Sequence, residues 1–160
     1  MVDIAPDAPG SDDDGASFEA FCRDAYEPMV RLAFLLTGST ETAEDIVQDS
    51  LARTFPRWEK VNEPASYVRR AVVNACNSHH RRRFRERAHP PREPEPARME
   101  ADELFDVLAA LPPRMRSAIV LRFYQDLPEP EIAEILGCAP PTVRSLIHRG
   151  LARLRTVIEP

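Results

Sequence analysis

Apolar residues recur at intervals of three and four along much of the chain, a spacing that predicts amphipathic helices. In the first half, the pattern predicts helices over residues 18–37, 40–55 and 64–85. Gly38 is placed to end the first helix and Pro64 to open the third. No convincing strand pattern is present, so the sequence predicts an all-α protein.

The first two helices carry features that define their ends and faces. Ser17 is a suitable N-cap for the first helix, and Pro28 is expected to kink or divide that helix. The second helix has an apolar stripe that is predicted to be buried, and it consists of Ala43, Ile46, Val47, Leu51 and Phe55.

Prolines divide the second half of the chain. Residues 88–98 hold four prolines among charged neighbours, which is typical of an extended linker. Pro112, Pro128 and Pro130 then mark breaks between short apolar-periodic segments. Helices are predicted at about 101–110, 113–124, 129–136 and 141–157.

These segments predict two small helical domains joined by a proline-rich linker. Residues 1–16 carry five Asp and no basic residue, and we expect a disordered acidic tail there. The first domain is predicted over 17–87, the linker over 88–98 and the second domain over 99–160.

Residues 131–154 have the pattern of a helix-turn-helix. Gly137 suits the end of a first short helix, while Pro140 and Pro141 suit the first turn of a second. In the second helix Val143, Leu146, Ile147, Leu151 and Leu154 share one face, with polar and basic residues between them. Such a helix enters the major groove of DNA. The alternative is an ordinary helical hairpin with a solvated basic face.

The net charge of −5 conceals two basic patches. Residues 66–90 hold seven arginines against one glutamate, and residues 138–160 hold four against one. Two separate patches in an acidic chain indicate two contacts with a polyanion.

The second and third helices carry contrasting polar surfaces. Glu41, Glu44, Asp45 and Gln48 share one face of the second helix, which is either a solvated surface or an acidic docking surface. The third helix ends in Arg81, Arg82, Arg83, Arg85 and Arg87, with Trp58 and Tyr67 upstream. Arginines and aromatic rings together suit unpaired DNA. Alternatively, Trp58 is a core anchor and the arginines complement the helix dipole.

Other chemistry finds little support in the sequence. Cys76, His79 and His80 lack a second pair of ligands for zinc, and three dispersed cysteines do not form a disulfide framework. There is no phosphate loop or nucleophile motif, so we expect no enzyme, cofactor or metal. No apolar run or signal peptide is evident, which favours the cytoplasm over membrane insertion.

Taken in order, the motifs resemble a known family. They are an A-E-D-I-V-Q-D helix (residues 43–49), an aromatic loop, a helix with Asn74 that ends in arginines, a variable linker and a helix-turn-helix. This order, over about 17–157, resembles the extracytoplasmic-function (group 4) RNA polymerase sigma factors of the sigma-70 superfamily. The resemblance implies sigma region 2 and region 4 domains. It also implies promoter-specific initiation with core RNA polymerase and regulation by an anti-sigma factor.

The resemblance assigns roles to matching positions. Glu44, Asp45, Gln48 and Asp49 would dock on the clamp helices of the largest polymerase subunit. The −10 element would be recognised and melted at Trp58, Tyr67, Arg69, Arg70, Asn74, Arg81 and Arg82. The −35 element would be read by Thr142, Arg144, Ser145, His148, Arg149 and Arg153.

The match departs from the family in the turn, where Ala139-Pro140-Pro141 replaces the usual serine and glycine and alters the expected cap. Two other functions remain open at this point. A stand-alone helix-turn-helix regulator would explain the C-terminal half alone, and a non-DNA interaction protein would use only the acidic helix.

Overall fold

The computed structural model describes residues 12–87 and 102–159, and all regular structure in these two segments is helical. The all-α prediction is confirmed. A 3-10 segment, Phe55–Lys60, follows the second helix, and a π-helical segment, Val120–Tyr124, extends the fifth. The helices are α1 (Asp12–Thr37), α2 (Thr40–Thr54), α3 (Pro64–Glu86), α4 (Asp102–Ala109), α5 (Pro113–Ile119), α6 (Glu129–Leu136) and α7 (Pro140–Ile158).

Helices α1, α2 and α3 pack into an N-terminal unit. Leu32 and Leu36 of α1, Val47 of α2 and Val72 of α3 are all fully or almost fully buried. Ser39 caps α2, because its side chain accepts a hydrogen bond from the backbone N–H of Thr42 at 3.2 Å. This packing fixes which faces of α2 and α3 point away from the core.

Two local predictions in this unit were wrong, and a third was wrong in part. Helix α1 begins at Asp12, so Ser17 lies inside it and caps nothing. The helix also continues through Pro28, so Pro28 does not divide it. An interior proline costs about 3 kcal/mol, but burial of Leu32 and Leu36 contributes about 1.5–3 kcal/mol each. Phe55 is 53% exposed, because the chain leaves the α-helical register there and enters the 3-10 segment.

The C-terminal unit contains the predicted helix-turn-helix in α6 and α7. Gly137 has φ 64°, the left-handed conformation that ends α6. Gly150 lets α7 approach α5 closely, since an added Cβ would lie 3.0 Å from Ile119 Cγ1. The predicted stripe of α7 is confirmed, with Val143, Leu146 and Ile147 buried and the later leucines partly buried.

The two units pack against each other. Phe105 of α4 lies against Phe34 of α1 with ring centroids 5.5 Å apart. Ser117 of α5 donates a hydrogen bond to the amide oxygen of Asn77 on α3 at 2.9 Å. The predicted linker and residues 1–11 of the predicted tail lie outside the described residues. Residues 12–16, which were predicted to be disordered, belong to α1 instead. None of the described helices is both long and apolar enough to cross a membrane.

Candidate nucleic-acid and protein interfaces

The polar face of α2 is exposed as the sequence predicted. Glu44, Asp45, Gln48 and Asp49 all point to solvent, while Val47 behind them is fully buried. Asp49 pairs with Arg53 one turn later at 2.9 Å, and Gln48 donates to the hydroxyl of Tyr26 at 3.4 Å. Both contacts lie at the surface and are weak, so a basic partner can replace them. The face is a rigid acidic surface on a helix that the core holds in place.

A second surface runs along α3. Tyr67, Arg70, Asn74 and Arg81 follow one another at helical spacing and are all exposed, with Tyr67 at 38%. Arg82 is exposed as well. Tyr67 and Arg70 also line an open groove of about 530 Å³, together with Lys60 and Asn62 of the preceding segment. An aromatic face beside cationic and amide groups can stack a base and hold its phosphate.

Trp58 occupies a more structural position than the rest of this set. Its ring is half-buried, with centroids 5.1 Å from Phe18 and 5.2 Å from Phe21. It therefore fixes the 3-10 segment to the first half of α1, as the core-anchor alternative expects. Its role as a −10 contact remains a prediction.

Arg69 and Arg70 point towards the C-terminal unit. Arg69 Nη1 lies 3.5 Å from Oε1 of Glu131, and its side chain is only 18% exposed. Arg70 Nη2 donates to the backbone carbonyl of Glu134 at 3.2 Å. Both acceptors belong to α6, the first helix of the helix-turn-helix, so two candidate DNA contacts are occupied within the chain.

The solvent-facing side of α7 presents its whole predicted set. All six candidate residues are exposed, and Arg144 donates twice to Oε2 of Glu129, at 3.2 and 3.0 Å. Arg149 donates to the backbone oxygen of Ser145 at 3.4 Å. The exposed set is Thr142, Arg144, Ser145, His148, Arg149 and Arg153.

The start of α7 explains the unusual turn. Ala139 occupies the N-cap with an extended backbone and provides no side-chain cap. Pro140 and Pro141 have no N–H, and the N–H of Thr142 donates to the Ala139 carbonyl at 2.9 Å. Few backbone N–H groups at this end of α7 lack an acceptor, so a serine side chain at the N-cap would have few donors to bond. The N-terminus of α7 therefore offers few backbone N–H groups to an anion.

Two polar groups that contact the C-terminal end of α1, one buried and one partly buried, were missed by sequence reasoning. Arg116 is 7% exposed, and burial lowers the pKa of its guanidinium. It donates to the carbonyls of Leu36 at 3.0 Å, Leu108 at 3.1 Å and Leu111 at 3.1 Å. His80 Nε2 contacts the same Leu36 oxygen, and burial is the main cause that lowers its pKa. Nothing in the sequence distinguishes Arg116 from the exposed Arg114 two residues earlier, so no sequence signal indicated its burial.

Metal binding gains no support in the described segments. No group of three ligand side chains comes together there. Burial raises the pKa of the Cys76 thiol to about 12, so the thiolate that zinc needs is strongly disfavoured.

The chain matches two family models and several curated relatives. Residues 22–86 match sigma-70 region 2, and residues 101–154 match sigma-70 region 4. The RNA polymerase sigma-E factor of Streptomyces coelicolor is 35% identical over 148 residues, covering 86% of this chain and 84% of the relative. The ECF sigma factor SigM of Mycobacterium tuberculosis is 30% identical over 157 residues, covering 91% and 79%. The chain belongs to the extracytoplasmic-function sigma factors.

A solved structure supports the fold. The sigma factor RpoE of Bartonella quintana, crystallised with the anti-sigma factor NepR, superposes with a TM-score of 0.74 at 22% identity. That match covers 89% of this chain and 97% of the other. The present chain is therefore a sigma factor that works with RNA polymerase in promoter-specific transcription initiation and not as a stand-alone regulator. Sigma factors are regulatory transcription factors rather than classical enzymes.

Proposed function

We propose that this sigma factor binds core RNA polymerase through α2 and reads promoter DNA through α3 and α7. The observation that carries the proposal is the separation of charge onto three exposed helix faces. One face is acidic and two are basic, and each is backed by a buried core. We also propose the domain division at 17–87 and 99–160, with 88–98 as the linker.

The acidic face of α2 would dock on the clamp helices of the largest polymerase subunit. Exposure of all four side chains supports this role, as does a buried stripe that makes the surface rigid. Charge complementarity would set the orientation and the rate of docking. The docking residues are Glu44, Asp45, Gln48 and Asp49.

The face of α3 would recognise the −10 element and assist its melting. An unpaired base could enter the groove beside Tyr67, with Asn62 and Arg70 offering polar contacts. Trp58 would shape this region by anchoring the segment that precedes α3. The proposed −10 set is Trp58, Tyr67, Arg69, Arg70, Asn74, Arg81 and Arg82.

The exposed face of α7 would read the −35 element in the major groove. Residues in its first half would reach base edges, and Arg153, two turns further along, would contact phosphate. The proposed set is Thr142, Arg144, Ser145, His148, Arg149 and Arg153.

An anti-sigma factor would regulate the protein in the cytoplasm, where bacterial polymerase works. A second groove, about 740 Å³ in volume, lies between the end of α3 and the start of α5. It contains Phe84, which is 76% exposed, together with Arg81 and Arg114. An exposed ring among arginines suits an amphipathic segment with acidic residues.

Core binding tests the assignment of α2. Asp45→Arg should weaken retention of the chain on core polymerase while its helical circular dichroism stays unchanged. Asp24→Arg on α1 makes the same charge change at another exposed position and should bind normally. Equal binding by both variants would refute the docking role.

A further inference from the structure

Arg144 is the one arginine of α7 that has a carboxylate partner in the described segments. Its Nε and Nη2 both donate to Oε2 of Glu129, at 3.2 and 3.0 Å. Arg149, by comparison, donates to the backbone oxygen of Ser145. Glu129 lies in the first turn of α6, so the pair joins the two helices of the helix-turn-helix.

This ion pair contributes little to folding. The side chain of Arg144 is 71% exposed and that of Glu129 is 28% exposed, and surface ion pairs stabilise a protein by about 0–1 kcal/mol. Buried residues of both helices, among them Ile132 and Val143, already hold α6 and α7 together. The pair instead restricts the direction of a long side chain that is otherwise surrounded by solvent.

Glu129 is well suited to hold a partner in a fixed position. Pro128 and Pro130 flank it, and each ring fixes the φ angle of its own residue. The N–H groups of Glu131 and Ile132 both donate to the carbonyl of Pro128 at 3.1 Å. The start of α6 therefore leaves few N–H groups for a carboxylate to cap. The helix dipole also favours a negative charge in this first turn.

The bonds to Glu129 use one edge of the guanidinium of Arg144. The outer edge, formed by Nη1 and the second hydrogen of Nη2, takes no part in them. Two parallel N–H groups on such an edge match O6 and N7 of guanine in the major groove. Arg144 also lies near the N-terminus of α7, and this is the part of a recognition helix that contacts base edges.

We propose that Glu129 is a positioning residue that orients Arg144 to read a guanine of the −35 element. The inference rests on the proposed −35 role of Arg144. Without the carboxylate, the guanidinium is free to turn towards a phosphate, a contact that carries no sequence information. Glu129 thus increases selectivity and lowers affinity, because its negative charge also repels the DNA backbone.

The orientation can be measured in the free chain. NMR relaxation of the arginine Nε–H groups reports how far each guanidinium is restricted on the picosecond to nanosecond timescale. Arg144 should be more ordered than Arg153, which is exposed on the same helix, and Glu129→Ala should remove the difference. Equal order of the two arginines in wild type would contradict the positioning.

Holoenzyme binding to promoter duplexes tests the effect on selectivity. Each −35 base pair is substituted in turn, and Arg144→Ala identifies the base pair whose preference depends on Arg144. Glu129→Ala should lower the preference at that base pair about fivefold, which is part of what a bidentate arginine–guanine contact contributes. The preferences at other base pairs should not change. Binding to the substituted duplexes should become tighter, because a repulsive charge is removed.

Three further variants separate positioning from charge. The double variant Glu129→Ala, Arg144→Ala should have the same preferences as Arg144→Ala, since Glu129 acts through Arg144. Glu129→Gln keeps an acceptor oxygen and loses the charge, so it should retain most of the preference. Glu103→Ala removes a carboxylate from an exposed position of α4 and should leave every preference unchanged. Circular dichroism checks that each variant is folded.

The outcomes distinguish this inference from the proposed function. If Glu129→Ala binds all duplexes more tightly by the same factor and keeps its preferences, Glu129 acts by charge alone and the inference is overturned. A loss of preference on removal of Glu129 that persists without Arg144 would overturn it too. If Arg144→Ala removes a preference that Glu129→Ala keeps, only the inference is wrong. If Arg144→Ala changes no −35 preference, the proposed role of Arg144 is wrong and the inference fails with it.

Discussion

Nη1 of Arg116 lies 3.0 Å from the backbone oxygen of Leu36, a residue 80 positions earlier in the chain. The same guanidinium satisfies carbonyls at the end of α4, and its carbon lies 5.5 Å from the centroid of the Phe105 ring. Cations are favoured at helix C-termini, where unpaired carbonyls carry partial negative charge. The buried Arg116 side chain thus provides hydrogen-bond donors to carbonyls at the C-terminal ends of α1 and α4, and it joins the two units.

Replacing Arg116 with alanine should lower the free energy of unfolding by about 3 kcal/mol, because several buried carbonyls lose their donor. Urea denaturation followed by circular dichroism measures this. Arg114→Ala is the matched control, since Arg114 is exposed and makes one bond to the Leu136 carbonyl at 3.2 Å. Similar losses in both variants would show that the buried network contributes little.

The two left-handed glycines form a second matched pair. Gly137→Ala should cost about 1–2 kcal/mol, the penalty of a side chain at positive φ with open space around it. Gly38→Ala should cost more, because the added Cβ also displaces the ring of Phe105. Thermal unfolding of the two variants compares the costs, and equal costs would mean that Phe105 does not hold this position.

The spacing of apolar residues, together with glycines and prolines at helix ends, predicted the helices well. Some helix boundaries depend only on the backbone conformations that a single residue allows, so the sequence alone reveals them. These are the ends of α1 and α6 at Gly38 and Gly137 and the start of α3 at Pro64. Pro28 does not divide α1, because its local cost is outweighed by burial that only the folded core provides. The same limitation applies to Phe55, whose exposure depends on how the chain leaves α2.

Contacts between the units were beyond sequence reasoning. Arg69 was predicted as a DNA contact, and nothing in its neighbourhood along the chain indicated Glu131 as a partner. Arg116 reads as a polar position in a helical pattern, although its guanidinium is buried. Such pairings depend on the docking of two domains across a long sequence separation, which helical spacing does not encode.

Acidification should destabilise the fold through the histidines of α3. Burial lowers the pKa of His80 below its ordinary 6.5, and Arg116, Arg83 and Arg87 act in the same direction, although the hydrogen bond to Leu36 raises it. The pKa of His79 is lowered as well, mainly by burial. The folded chain then binds fewer protons than the unfolded chain below about pH 6.5, so stability is present above that pH and lost as pH falls.

Urea midpoints measured between about pH 7.5 and 5.5 test this titration. Wild type should lose more stability than a His79→Gln, His80→Gln variant, which has neither imidazole. Parallel curves for the two proteins would contradict the assignment.

Two arginines of α7 should differ in the kind of DNA contact they make. Arg149→Ala should reduce discrimination at one −35 base pair by about 1–3 kcal/mol, as loss of a base contact does. Arg153→Ala should weaken binding to all sequences and reduce the salt slope by about one unit, as loss of a phosphate contact does. Holoenzyme binding to a panel of promoter duplexes at several salt concentrations separates the two, and identical profiles would refute the distinction.

Run-off transcription from a genomic promoter library tests the central claim most directly. Purified chain with core polymerase should produce transcripts from a defined set of promoters, and Asp45→Arg should abolish most of them. Core polymerase alone should produce none of that set. Transcripts that do not depend on the chain, or tight operator binding by the chain in the absence of polymerase, would contradict the account.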